Sequence, residues 1–425
     1  MAREYKDSGI EWIGQIPKEW EIGKVKNYYS LQTGFTPDTK NELYYDDNGA
    51  LWVNISDMGD SHYISNTKKK ISDYYISKFK PPIVPKGSLL YSFKLSVGTV
   101  AIAGEEMYTN EAIAAFLQKD GINLSFLYYS SQVCIIFNAN ENIYGAKLLN
   151  QDLINNATII FPPLAEQQKI ADYLDKVCGE VDEMVTLQET MIEELKAYKQ
   201  SVITEAVTKG LNPNAPMRNS GIDWIGEIPE HWEVRRIGRL FKLRDEKNYK
   251  PMEEVQLLSL YTGIGVFPHG EQEERGNKAV TVEGYKVVHK NDIVVNIILA
   301  WMGAIGVSDY DGVTSPAYDV YIPDFTKVVP HYFHYVFRTK GIAAECYKYG
   351  RGIMMMRWRT YSSEFKQISV PYPSIEEQQQ IASYLDAKCS EIDSLIALKQ
   401  AKIEELKEYK KSVIYEYVTG KKEVC

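Results

Sequence analysis

The sequence is short of several things at once. Its five cysteines, Cys134, Cys178, Cys346, Cys389 and Cys425, are scattered through 425 residues, and no two form a Cys-x-x-Cys pair. That spacing suits neither a disulfide scaffold nor a zinc site and predicts reduced thiols in a cytoplasmic protein. No run of 18 apolar residues occurs, so no membrane span is expected. The opening MAREYKDSGIEW lacks the apolar stretch of a secretory signal. Catalytic fingerprints are missing too: there is no G-x-x-x-x-G-K-[ST] phosphate loop, G-x-G-x-x-G, H-E-x-x-H or G-x-S-x-G. An Asp/Asn-Pro-Pro-aromatic motif is likewise absent, since the proline pairs read KPPI and FPPL. A nuclease-like grouping of Pro323-Asp324 with Glu364-Phe365-Lys366 is too widely spaced to outweigh unrelated carboxylates. An enzyme acting alone is therefore not expected. Nor is the chain basic: 48 Lys and Arg stand against 57 Asp and Glu, a net of −9, which taken whole argues against a generic nucleic-acid binder.

What is present is a duplication. KDSGIEWIGQIPKEWEIGKV (6–25) returns as RNSGIDWIGEIPEHWEVRRI (218–237), with ten of twenty positions identical. The segment beginning EQQKIADYLD (166–208) returns as the one beginning EQQQIASYLD (377–419), with 25 of 43 identical. The offsets, 212 and 211, differ by a single residue. Between these blocks, 26–160 and 238–370 share only echoes in order: Gly98 with Gly303, and TNEA (109–112) with TSPA (314–317). The order of the echoes suggests a shared fold with changed contents. A pattern of variable globule, constant helix, variable globule, constant helix follows. Its boundaries are 1–160, 161–209, 210–370 and 371–425, and the class is mixed α/β.

Each constant segment predicts a long helix. Ser374 and Glu377 after Pro373 form a capping-box signature, whereas the first copy has Pro163 but no serine. Ile170, Leu174, Val177, Val181, Met184, Gln188, Met191, Leu195, Tyr198 and Val202 alternate steps of four and three, as in a coiled-coil seam. In the second copy Lys388, Lys399 and Lys402 interrupt that seam, and Ile396 and Ile403 stand ready to replace them. About 42 residues give a rod of roughly 60 Å. Connectivity places the globules at opposite ends of the first rod, with the second helix returning antiparallel. The expected architecture is thus two globular heads held apart by two long antiparallel coiled-coil helices, with an internal pseudo-twofold repeat. The duplicated Trp12, Trp20, Trp224 and Trp232 are expected to pack at helix-to-head junctions, and Cys178 and Cys389 to be small core residues.

Charge by segment qualifies the whole-chain figure. The nets are −3 for 1–160, −5 for 161–209, +1 for 210–370 and −2 for 371–425, so most of the negative charge lies on the helices. The heads are near neutral with basic clusters: Lys68, Lys69 and Lys70; Lys78 and Lys80; Arg235, Arg236, Arg239, Lys242 and Arg244; and Arg351, Arg357 and Arg359. Clusters of this kind suffice to neutralise phosphates.

The block order SGIEWIGQIPKEW, TGFTP (33–37), FPPLAEQQKIADYLD, followed by SGIDWIGEIPEHW, SPAYDVYIP (315–323) and VPYPSIEEQQQIASYLD, resembles the specificity subunit of type I restriction–modification systems over essentially the whole chain. The resemblance implies that the variable segments are target recognition domains, each reading half of a bipartite, asymmetric DNA site. It implies that the helices are spacers docking two modification (methyltransferase) subunits, that restriction subunits join for cleavage, and that the chain itself is not catalytic. S-adenosylmethionine, ATP and magnesium are implied for the partners, with no cofactor or metal in this chain. A rival reading is a non-enzymatic coiled-coil adaptor binding two proteins through its heads.

Bases are read by Arg or Lys at guanine and by Asn or Gln at adenine. No arginine occurs between Arg3 and Arg218, so the first head must use other groups. Polar, loop-like stretches beside Gly or Pro supply the candidates. In the first head these are Thr33, Thr36, Lys68, Lys69, Lys94, Asn110, Tyr144 and Lys147. In the second they are Tyr261, Arg275, Asn296, Ser315, Arg351, Arg357 and Arg359. Tyr173, Ile192 and Tyr384 are expected as exposed helix positions for partner contact.

Overall fold

The computed structural model describes residues 3–59, 62–94, 96–117, 123–141, 147–270, 281–352 and 358–424. The chain divides into two compact units: Met1–Gln188 with Ala401–Cys425, and Glu189–Gln400. Each unit contains one head and a stretch of both long helices, which span Leu164–Lys209 and Ile375–Val418.

The first head is built from β1 (Glu21–Lys24), β2 (Ser30–Thr33), β3 (Leu89–Ser92), β4 (Val100–Ala103), β5 (Ile113–Leu117) and β6 (Thr158–Phe161). Its main sheet runs β2-β5-β3-β4, with Tyr63–Ile64 added beyond β4. The central strands are buried on both faces, which is why LLYS, VAIA and IAAFL show no apolar–polar alternation. Alternate side chains feed two cores. Leu89, Tyr91, Val100, Ile102, Ala114 and Phe116 join one; Leu90, Ala101, Ala103, Ile113 and Ala115 join the other.

The second head uses β7 (Glu233–Arg236), β8 (Phe241–Leu243), β9 (Ile293–Asn296), β10 (Ile305–Val307), β11 (Tyr318–Pro323) and β12 (Ser369–Tyr372). Its sheet order is β8-β11-β9-β10, the same arrangement as in the first head. Register makes the match residue by residue. Phe116 lies between Leu31 and Leu89, as Tyr321 lies between Leu243 and Ile293. Leu89 faces Ile102 as Ile293 faces Val307. The β1–β6 and β7–β12 ladders are also duplicated. Two heads with little sequence in common thus share one fold, as the ordered echoes suggested.

The repeated residues form the frame. Trp20 and Trp232 are 0% and 1% exposed, and each donates its indole N–H over 3.0 Å to the equivalent helix carboxylate, Glu166 or Glu377. Trp12 stacks on Phe137, and Trp224 donates to the Ser369 carbonyl. Gln167 and Gln378 donate to the carbonyls of Pro162 and Pro373, and accept from the backbone N–H groups of Asn123 and Val329. Tyr129 donates to Asp175 as Tyr335 does to Asp386. The Ser374–Glu377 capping box forms as expected, with reciprocal bonds of 3.2 Å. Cys178 and Cys389 are buried in apolar clusters.

Within each unit the two helix stretches run antiparallel. In the first, Tyr173 meets Tyr417 and Asp182 pairs with Lys410. In the second, Met191 meets Lys399 and Lys199 pairs with Asp393. The inward stripe departs from the expected seam. Met184 and Tyr198, placed on it by strict heptad spacing, are 52% and 51% exposed. Cys178, Ile192, Ile203 and Ala206 are buried instead. Ten inward steps from Ile170 to Ala206 cover 36 residues, the 3.6 period of a straight helix, so a 3.5-residue pattern drifts off the stripe. In the second copy Ile403 and Leu406 are buried while Leu395 is exposed.

Candidate nucleic-acid interface

The shared sheet gathers the same loops at one end of each head: the chain after β2 or β8, the turn joining β3 to β4 or β9 to β10, and the segment entering β5 or β11. In the first head these loops are pinned to one another by backbone bonds. Phe35 N–H donates to the Thr109 carbonyl, Phe93 N–H to Ala112, and Asn110 N–H to Val53. Gly34 is required here, because a Cβ at this position would fall 1.7 Å from the Thr109 carbonyl oxygen. Trp52 fixes the next residue by donating to the Phe35 carbonyl. Gly98 and Gly303, both at positive φ, shape the equivalent turns.

This geometry brings Thr33, Thr36, Lys94 and Asn110 to one sheet end. Thr36 and Lys94 are exposed. Thr36 donates its hydroxyl to Glu111, a residue that sequence reasoning passed over although it lies inside the TNEA echo. The Thr36 bond holds the Glu111 carboxyl below its ordinary range against opposing burial, helped by its own backbone N–H and by Lys94. Asn110 caps its own turn by accepting from Ala112 N–H, and Thr33 accepts from Gln151. Lys68 and Lys69 belong instead to the neighbouring three-stranded sheet. Lys68 donates to the Ser56 carbonyl and Lys69 lies over the Tyr45 ring. Lys147 is paired with Glu141. Tyr144 lies outside the described residues.

In the second head Tyr261, Asn296 and Ser315 meet at the corresponding end. Asn296 is buried, accepts from Ile298 and Leu299 N–H, and faces Tyr318 across the sheet. Its amide holds the loop. Thr360 N–H donates to the Ile297 carbonyl, tying in the arginine segment. There Arg351 and Arg359 exchange backbone bonds of 2.9 and 3.0 Å, closing the base of a loop. Both are exposed, and Arg351 also pairs at 2.5 Å with buried Glu364. Arg275 and Arg357 lie outside the described residues.

Part of the basic inventory is spent internally. Arg244 forms a two-pronged pair with Asp292 at 2.9 and 3.0 Å, with side chains 14% and 3% exposed. Arg235 lies 3.9 Å over the Tyr372 ring. Two members of the run Arg235–Arg244 are therefore engaged within the head, while Arg236, Arg239 and Lys242 are exposed. The two carboxylates of the nuclease-like grouping are also committed, Asp324 to Thr326 and Lys327, and Glu364 to Arg351. Among the described residues no group of three His, Cys, Asp or Glu is placed to hold a metal ion, and no helix is long and apolar enough to cross a membrane.

The helix candidates divide. Ile192, expected to be exposed, is 6% exposed, because the 3.6 period turns it inward. Tyr173 is half-buried against Tyr417 at 4.4 Å. Tyr384, its repeat equivalent, is 42% exposed. Ala206 stands where the other copy has Tyr417, and a groove of about 720 Å³ opens there, lined by Tyr198, Val202, Ala206, Leu211 and Tyr384.

Comparison with known proteins covers both halves of the chain. The putative type I restriction enzyme MjaX specificity subunit of Methanocaldococcus jannaschii is 27% identical over 99% of this chain and 98% of its own. The MjaIX specificity subunit of the same organism is 28% identical, but that match spans 59% of this chain and 57% of the relative. The Escherichia coli EcoBI specificity subunit is 23% identical over 93% of this chain and 84% of its own. Each relative is named as the specificity subunit of its enzyme. The fold resembles a chain from a structure of complex assembly and conformational transition in the type I R-M system, with a TM-score of 0.67 over 95% of this chain and 98% of that one, at 15% identity. It also resembles the HsdS subunit of Thermoanaerobacter tengcongensis, with a TM-score of 0.51 over 95% and 98% at 15% identity. The family described as type I restriction modification DNA specificity domain matches residues 17–197 and again 229–408, one match in each half of the duplication, and the chain belongs to that family.

Proposed function

We propose that this chain is the non-catalytic DNA sequence-recognition subunit of a type I restriction–modification complex. Residues 1–160 and 210–370 act as target recognition domains, each reading one half of a bipartite asymmetric site. Residues 161–209 and 371–425 act as antiparallel spacers that set the distance between the heads and dock two modification subunits. Restriction subunits join for cleavage. S-adenosylmethionine, ATP and magnesium belong to those partners, and the complex works in the cytoplasm. The observation that carries this reading is the pairing of one sheet topology with two different sets of loop residues: a common frame presenting distinct chemistry is what reading two different half-sites requires.

Base and phosphate contacts are assigned to the loop ends of the sheets: Thr36, Lys94 and Asn110 in the first head, and Tyr261, Ser315, Arg351 and Arg359 in the second. An acidic spacer keeps DNA off the helices and concentrates binding at the heads. Sequencing of methylated bases in cells expressing this chain with its modification subunit tests the proposal. The expected result is one motif with two specified half-sites and an unspecified gap. Methylation without a motif, or a continuous motif that ignores one head, would overturn it.

A further inference from the structure

The equivalence of the two heads singles out positions where the backbone is the same and the chemistry is not. Following the register from Ser92 and Asn296, Lys94 corresponds to Ile298; following the TNEA and TSPA segments, Glu111 corresponds to Pro316. One head thus presents an ammonium and a carboxylate where the other presents an isoleucine and a proline. Residues that hold the fold keep their type across the repeat, as Trp20 and Trp232 do. Residues that read different half-sites must change type in place.

Glu111 is exposed yet oriented. Thr36 donates to one carboxylate oxygen, Oε2, and Thr36 is itself positioned by the Gly34 approach to Thr109 and the Trp52 bond to Phe35. The second oxygen keeps its accepting capacity. Lys94 follows Phe93, whose N–H is bonded to the Ala112 carbonyl, one residue beyond Glu111. An acceptor and a cationic donor are therefore carried on two loops that are bonded to each other, near enough for Lys94 to act electrostatically on Glu111. In the major groove a C·G pair offers the complementary set, the cytosine N4 amine as donor and guanine O6 and N7 as acceptors. An A·T pair sets its amine, adenine N6, between two acceptors, adenine N7 and thymine O4, and so lacks the two adjacent acceptors beside a donor that the C·G pair presents.

Resting on the recognition role proposed above, we propose that Glu111 and Lys94 together read one C·G base pair in the half-site of the first head, Glu111 accepting from cytosine N4 and Lys94 donating to the guanine edge. This gives a head with no arginine in its variable segment, 26–160, a means of specifying a C·G pair. It also predicts that the second head, with Pro316 and Ile298 at these places, specifies no base pair in this way.

The test uses the full chain in complex with its modification subunit and DNA duplexes carrying each base pair at every position of both half-sites. Exchange of residues 26–160 for those of a relative first identifies which half-site the first head owns. Glu111→Gln is then expected to reduce discrimination about 5- to 150-fold at one C·G position of that half-site, leaving the other positions and the other half-site unchanged. Thr36→Val, which frees the carboxylate without removing it, reduces discrimination at the same position by a smaller factor and serves if Glu111→Gln does not fold. An unchanged profile, a uniform loss at all positions, or a loss centred on an A·T pair would overturn the assignment. A wild-type complex with no sequence preference at all would instead overturn the recognition role on which it rests.

Discussion

The Arg244–Asp292 pair separates structural from DNA-facing arginine, and its removal has a calculable effect. Asp292 is 3% exposed in its side chain, accepts both prongs of the guanidinium, and also accepts from His289 N–H. Asp292→Ala leaves Arg244 partly buried with only the exposed Glu246 as an acidic partner. Breaking a buried pair from one side costs about 3–5 kcal/mol. The unit carrying it spans Glu189–Gln400, and for a unit of that size about 2–4 °C accompany each kcal/mol. A fall of roughly 6–20 °C in one transition of the intact chain is expected by scanning calorimetry. Replacing both partners, Arg244→Leu with Asp292→Leu, removes the buried charge and its partner together and is expected to recover most of that loss. The double variant should also retain the half-site preference of the second head, because Arg244 is 14% exposed and its guanidinium is directed at Asp292 and Glu246 within the head. A shift below 2 °C for Asp292→Ala, or a double variant that folds well but loses that preference, would refute the reasoning.

Three further outcomes are expected. Changing Arg351, Arg357 and Arg359 together to Ala should cost about 1–3 kcal/mol of discrimination at the second half-site, read by competition binding with the modification subunit present; unchanged preference and affinity would exclude this loop from recognition. Burial, with the nearby charges of Arg338 and His331, pushes the His334 imidazole down to about 3, and its Nδ1 is enclosed without a hydrogen-bond partner. The unfolded histidine takes up a proton below about 6.5 while the folded one resists, so this contribution to stability is complete above pH 6.5 and is lost as pH falls toward 3, by about 2 kcal/mol at pH 5; His334→Phe should flatten that part of the urea-stability profile, and an unaltered slope would contradict it. Tyr384→Ala is expected to weaken binding of the modification subunit about 5- to 30-fold with little change in Tm, measured by analytical ultracentrifugation, and equal affinity would remove the groove from the docking surface.

The frame was legible because it is written twice. Tryptophans repeated in both halves mark the helix-to-head junctions, and there Trp20 bonds Glu166 as Trp232 bonds Glu377. The Ser374–Glu377 cap was legible because its chemistry is local. The common sheet was visible only as echoes, since strands such as VAIA are buried on both faces and lose the period of two. The seam was misread at Met184, Tyr198 and Ile192 because 3.5 and 3.6 residues per turn diverge only over many turns. Arg244 counted as free charge because its partner, Asp292, is 48 residues away in sequence. Glu111 escaped notice because a lone carboxylate carries no signature until Thr36 and Lys94 are beside it.

The division of the helices between the units has a consequence for how the protein is made. The core containing Trp20, Phe126, Ile170 and Leu174 also contains Val413, Ile414 and Val418, and Lys421 donates to the carbonyls of Ile13 and Gln15. The second unit has all its residues once Gln400 has been synthesised, but the first still lacks Ala401–Cys425. The ribosome therefore delivers the downstream unit complete before the upstream one, the reverse of the usual vectorial order. The first head leaves the exit tunnel with part of its apolar surface uncovered and depends on Ala401–Cys425, translated after the whole of the second unit, to close it. A stop codon just after Gln400 would spare the second unit and expose the first to proteolysis.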